Sequence, residues 1–162
     1  MPRTVEQDLL AACLAGGTSA VASHRSAAAV FGLRGVGWGQ PEITVRGTAR
    51  PRMHGVILHR SQLDAADRGR RGAIPVTRPA RTLLDLAVVE PAVVEGALDD
   101  ALVRGLTTLG SLGRMLERSG GPGRAGSDLL RELVAVRSTG QASTESPLED
   151  RLVWLFRGHG LP

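Results

Sequence analysis

Apolar positions along the chain follow two rhythms. Over Val5–Ala15 they recur at Val5, Leu9, Ala12 and Cys13, the spacing of one helical face. Glu6 and Asp8 favour a helix start, and Gly16 and Gly17 end it. A second helix is expected over residues 24–33, capped by Ser23, with Ala27, Ala28, Val30 and Phe31 as its buried face and a stop near Gly35. The rhythm then changes to alternation rich in Val and Ile, which predicts short strands at 42–46, 55–60 and 74–77. Between the last two lies an arginine- and glycine-rich turn containing Arg68, Arg70 and Arg71.

Helical spacing returns after the third strand. Pro79 suits a first helical turn, where a missing N–H costs nothing. Leu83, Leu84, Leu86 and Ala87 give an apolar stripe, and Arg81 and Asp85 read as an exposed pair four residues apart. Further helices are predicted from Pro91 to about Arg104, over 109–118 behind a Thr108 cap, and over 127–136. Residues 138–144 have the polar composition of a linker. Ser146, Pro147, Leu148 and Glu149 then spell a capping box that opens a last helix. The fold class expected is α+β: a small mixed or antiparallel sheet of about three strands, covered by helices, with a helical C-terminal half.

Composition narrows the function classes. The 162 residues contain two Phe, two Trp and no Tyr, so there is almost no aromatic platform for stacking single-stranded bases. All 20 basic residues are Arg. The net charge of +4 is unevenly placed: residues 43–81 carry +7 and the remainder −3. Such a concentration suits a surface that meets a polyanion, or a sheet edge that uses charge to block strand pairing. Cys13 is the single cysteine and reads as a small buried hydrophobe in a reducing compartment; with no export signal, a cytoplasmic location is expected.

Few arrangements carry chemistry. His24, His54, His59 and Cys13 are too scattered for a zinc signature, and no metal or other cofactor is expected. Ser26, His24 and Asp85 lack a nucleophile elbow. The glycine-rich run 120–127 follows a helix rather than a strand and lacks the P-loop lysine, so it reads as a linker. Helices 5–15 and 24–33 across a glycine turn could form a helix-turn-helix, but the second is mostly alanine and offers few side chains to read bases. The tripeptide His-Arg-Ser occurs twice, at 24–26 and 59–61; both copies could reach phosphates, and chance repetition in an arginine-rich chain is as good an explanation. Candidate contacts to a DNA backbone, expected to gather as one basic rim along an arginine-rich sheet edge, are Arg46, Arg50, Arg52, Arg60, Arg68, Arg70, Arg71, Arg78 and Arg81, giving affinity and salt dependence rather than sequence choice.

Four stretches together, AVASHRSAAAVFGL, GVILHRSQL, GAIPVTRPARTLLDLA and STESPLEDRLVWLFRGHGLP, resemble a bacterial family in which an AbiEi-type antitoxin and regulator region precedes a nuclease-like domain similar to very-short-patch-repair endonucleases of the PD-(D/E)XK class. The resemblance runs from about Ala20 onward. It implies an antitoxin domain over 1–137 with its winged helix-turn-helix largely absent, a linker at 138–144, and at 145–162 the first helix of a truncated nuclease-like domain. Glu149 matches that helix's acidic position, and the remaining nuclease residues are absent from the sequence. Arg78 departs from the family, which more often has a small capping residue there, so the resemblance implies Thr77 as the cap instead. The implied activity is non-enzymatic: binding of duplex DNA, transcriptional autoregulation and neutralisation of a nucleotidyltransferase-like toxin. The alternative is an inactive fragment of a DNA endonuclease, and a third reading is a remnant that folds without a partner.

Overall fold

The computed structural model describes residues 3–47, 53–121 and 123–144. Its elements run α1 (Val5–Ala15), β1 (Val21–Ala22), α2 (His24–Phe31), β2 (Glu42–Val45), β3 (Ile57–Arg60), a 3-10 turn (Ala65–Asp67), β4 (Arg68–Arg71), β5 (Ile74–Thr77), α3 (Pro79–Val89), α4 (Pro91–Val103), α5 (Leu109–Ser119) and α6 (Ser127–Thr144). The α+β class and the helical second half agree with the sequence pattern. The sheet, however, has five strands rather than about three, in the order β3-β2-β1-β5-β4.

The two unforeseen strands escape periodicity for different reasons. Two residues, Val21 and Ala22, make β1, which is too short to alternate; it joins the sheet halves by pairing antiparallel with β2 and parallel with β5. Strand β4 is the arginine-rich segment itself, paired antiparallel with β5 from Arg68↔Thr77 to Arg71↔Ile74. A charged, two-sidedly polar strand is tolerated only at an edge, where its free side faces water. Strand β3 forms the opposite edge, parallel to β2.

Helices α1 and α2 pack against the sheet, and α3 is enclosed by α2, α4, α5 and α6. Enclosure explains why every residue from Arg81 to Ala87 is buried, not only the leucine stripe. The expected exposed pair is therefore wrong in its setting: Arg81 is 2% and Asp85 5% exposed. Nor is there a helix-turn-helix. Strand β1 lies between the two helices, and α2 buries six of its eight residues, leaving no face for a DNA groove. Residues 138–144 continue α6 instead of forming a linker; the Ser138 and Thr139 hydroxyls bond back to the carbonyls of Val134 and Ala135, satisfying themselves within the helix. The capping box at 146–149 lies outside the described residues.

Two capping expectations also change. Thr108 caps α5 through the Ser111 N–H, as expected. Ser23 occupies the N-cap position of α2 but makes no capping bond, and Arg78 rather than Thr77 precedes α3, where Thr77 Oγ1 lies 2.8 Å from Thr82 Oγ1. Cys13 is buried and unbridged, and burial raises its thiol pKa to about 11.

Gly126, just before α6, has φ +78°, and a Cβ there would meet Ala87 Cβ at 3.0 Å and Leu84 O at 3.1 Å. The loop can lie on α3 only because no side chain intervenes. Gly126→Ala is expected to destabilise the fold by about 1–3 kcal/mol in urea denaturation. Gly121→Ala, with open space around it, should change stability by less than about 0.5 kcal/mol.

Candidate nucleic-acid interface and a buried polar cluster

The expected basic rim divides between two sheet edges. Arg68, Arg70 and Arg71 lie along β4, and Arg78 follows β5 beside them, its Nε donating to Arg68 O at 3.0 Å. Arg46, just past β2, and Arg60, at the end of β3, are exposed toward the other edge. Arg81 is inside, so it is not an open phosphate contact. Arg50 and Arg52 lie outside the described residues.

Beside β4 the chain forms a groove of about 610 Å³. Arg70 and Arg78 reach it from the sheet side, and Arg114 and Arg118, which lie outside the basic segment 43–81, reach it from α5. The start of α3 (Pro79, Ala80) and the N-cap and first turn of α5 (Thr108, Ser111) also line it, so the positive ends of two helix dipoles lie at the groove. Asp67 is the one acid in the lining, and it is already engaged. Its carboxylate accepts from Arg118 Nη2 at 2.9 Å and Ser119 Oγ at 3.0 Å, and Arg81 Nη1 stands 3.6 Å away. Arg70 and Arg78 spend one N–H each on backbone carbonyls, so both keep donors for a further acceptor.

A second set of polar residues converges around Glu42. This side chain is almost fully buried, accepting from Arg25 Nη1 at 2.9 Å and His59 Nε2 at 2.9 Å. Burial alone would raise its pKa, but the bonds from His59 and Arg25 outweigh burial and hold the carboxyl below its usual range. Arg25 also binds Glu90 at 2.8 Å and Val89 O at 2.7 Å, tying α2 to the end of α3. The His59 ring stacks on His24 with centroids 3.5 Å apart and planes 15° from parallel. His24 Nδ1 is 2.9 Å from Ser23 Oγ, which accepts from Thr44 Oγ1 at 2.7 Å, and these bonds occupy the hydroxyl that would have capped α2. His24 has φ +51°, a left-handed conformation that a non-glycine residue keeps only when its surroundings over-determine it.

This cluster was missed because its members are distant in sequence; the one available signal was the repeated His-Arg-Ser. The two histidines stack, Ser26 Oγ accepts from Glu42 N, and Ser61 Oγ accepts from Arg81 Nη2. Histidines expected to be scattered thus meet in space. Ligand-type atoms of His24, Glu42 and His59 lie within 4.8 Å of one another, but the stack is a poor cradle for an ion. Two imidazoles sharing a tetrahedral metal in their ring planes need centroids about 5 Å apart. Near-parallel rings at 3.5 Å send their lone pairs side by side.

No family model matches the chain, and no curated protein or solved structure matches it. Among the described residues, no helix is long and apolar enough to cross a membrane.

Proposed function

We propose that the chain is a non-enzymatic, AbiEi-type regulator that holds the sugar-phosphate backbone of duplex DNA in the groove beside β4. One observation carries the reading: the exposed arginines Arg70, Arg78 and Arg114 share one concave surface with Arg118, and its single carboxylate, Asp67, is engaged by Arg118 and the buried Arg81. Arg71 on the same strand extends the charge beyond the groove. Guanidinium groups fork onto phosphate oxygens and displace condensed counterions, so binding would be sequence-tolerant and salt-sensitive. A nucleotidyltransferase-like toxin as protein partner and a cytoplasmic location belong to the same proposal, on the family resemblance.

The test compares variants by fluorescence anisotropy on a labelled duplex at low salt. Arg70→Ala/Arg78→Ala/Arg114→Ala is expected to weaken binding at least about tenfold, and Arg46→Ala, just past β2 and three strands away from β4 in the sheet order, less than about twofold. Equal losses from both would remove the groove from the account. Mg²⁺-dependent nicking that tracks the purified chain would favour the endonuclease-fragment reading instead.

A further inference from the structure

A smaller cavity of about 200 Å³ opens beside β3, the strand at the far edge from β4. Its walls are His59, Arg60 and Ser61 from β3 and its end, His24 from α2, Arg81 and Asp85 from α3, and Arg124 from the loop before α6. Three guanidinium groups and one carboxylate line this space. Asp85 Oδ1 accepts from Arg81 Nε at 2.8 Å, while Asp85 Oδ2 and Arg81 Nη1 are buried without a hydrogen-bond partner among the described residues. Among those residues neither the Arg60 nor the Arg124 guanidinium makes a hydrogen bond or ion pair, although Arg124 is half-buried. The Arg124 loop is held by backbone bonds alone, Arg124 N–H to Gly121 O at 3.1 Å and Ser127 N–H to Arg124 O at 3.1 Å. Burial and the like charge of Arg81 pull the Arg124 pKa down while Asp85 and Asp67 oppose them, and three guanidinium groups against one carboxylate in the lining leave the site with a positive balance. Gly126 holds this loop against α3, which keeps Arg124 over the cavity rather than in solvent.

We propose that this cavity binds a phosphate-class oxyanion, with Arg124 and Arg60 as its forks, Arg81 as the buried charge behind them and Ser61 as a neighbouring hydroxyl. Size favours a small ligand: 200 Å³ falls below the range of pockets that enclose whole drug-sized molecules, but it accommodates one tetrahedral anion or one terminal group. Guanidinium is the side chain whose planar donors match two phosphate oxygens at once. The stacked histidines form a rigid wall, since His59 is held by Glu42 and His24 by Ser23. The site goes beyond the groove reading. It lies at the opposite edge of the sheet and shares only Arg81 with the groove.

The experiment is calorimetric titration of the full chain with inorganic phosphate at constant ionic strength, with chloride as the balancing salt. Saturable heat is expected for the wild type. Arg124→Ala and Arg60→Ala should each weaken phosphate binding about tenfold or more while the circular dichroism spectrum is retained. Arg114→Ala, in the groove, should leave it unchanged. Absence of saturable heat would overturn the proposal, as would loss of binding in Arg114→Ala with retention in Arg124→Ala. A duplex with a 5′-phosphate, compared with its 5′-hydroxyl form, separates two sources of the anion. A preference for the phosphorylated end that disappears in Arg124→Ala assigns the site to nucleic-acid ends. No preference, with orthophosphate still bound, assigns it to the free ion. Loss of duplex affinity in the groove variants leaves these outcomes intact, so the two readings fail separately.

Discussion

Arg81→Ala is expected to lower the unfolding free energy by about 3–5 kcal/mol, the cost of leaving the buried Asp85 without its cation while Asp67 keeps only Arg118 as a cation. Arg81 Nε donates to Asp85 Oδ1 at 2.8 Å, Nη2 reaches Ser61 Oγ at 3.2 Å and Nη1 stands 3.6 Å from Asp67 Oδ2, all with both acids nearly inaccessible. One side chain therefore ties α3 to the end of β3 and to the turn that enters β4. Burial pushes the Asp85 carboxyl up although Arg81 draws it down, so removing the guanidinium would leave that carboxyl even less able to ionise. Had the pair been exposed, as helix spacing alone suggests, the loss would be about 0.3–0.5 kcal/mol. Urea denaturation decides between these magnitudes, with Arg131→Ala as the control. Arg131 bonds Asp128 at 2.9 Å in an exposed i,i+3 pair, and its removal should cost less than about 0.5 kcal/mol.

The second large effect is on acid stability, through His24. Burial is the main cause that lowers its pKa from 6.5 to about 3, followed by the neighbouring His59; Arg81 and Arg25 act the same way and Glu42 opposes them. Below pH 6.5 the unfolded chain takes a proton that the folded one refuses, so stability falls as the pH falls toward 3. Between pH 6.5 and 5 this amounts to about 2 kcal/mol. Glu42, whose pKa is lowered, adds a loss only below its unfolded value of 4.5. Asp85, whose pKa is raised, acts in the opposite sense, gaining as pH falls. The reading is therefore the difference between wild type and His24→Asn, chosen because Asn tolerates the left-handed backbone. The variant's stability should decline less steeply with acid over pH 6.5–5. A parallel decline would show that His24 titrates normally.

These two residues also mark where the sequence ceased to be legible. The α3 stripe, the alternation at 42–46 and 74–77, Pro79 at a helix start and Thr108 as a cap were readable, since each is a local preference expressed by nearby residues. Strand β4 was not, because an arginine-rich edge strand has no apolar face and owes its existence to pairing with β5. The setting of Arg81 depends on four helices packing around α3, which no i,i+4 spacing reports. The Glu42 cluster draws on α2, β2 and β3, so only the duplicated His-Arg-Ser hinted at it. The extension of α6 over 138–144 defeated composition because Ser and Thr hydroxyls there satisfy themselves on the preceding turn. The basic charge is concentrated over residues 43–81, but its division between two sheet edges, rather than along one, follows from strand order, which no local pattern encodes.

The central claim is that the groove arginines replace counterions on a duplex. It is tested most directly by the slope of log affinity against log salt for a nonspecific duplex. If the four groove arginines meet phosphates, the wild-type slope is about −3.6, and Arg70→Ala/Arg78→Ala/Arg114→Ala brings it to about −1. A slope that these three substitutions leave unchanged, or no binding at about 50 mM salt, would contradict the account.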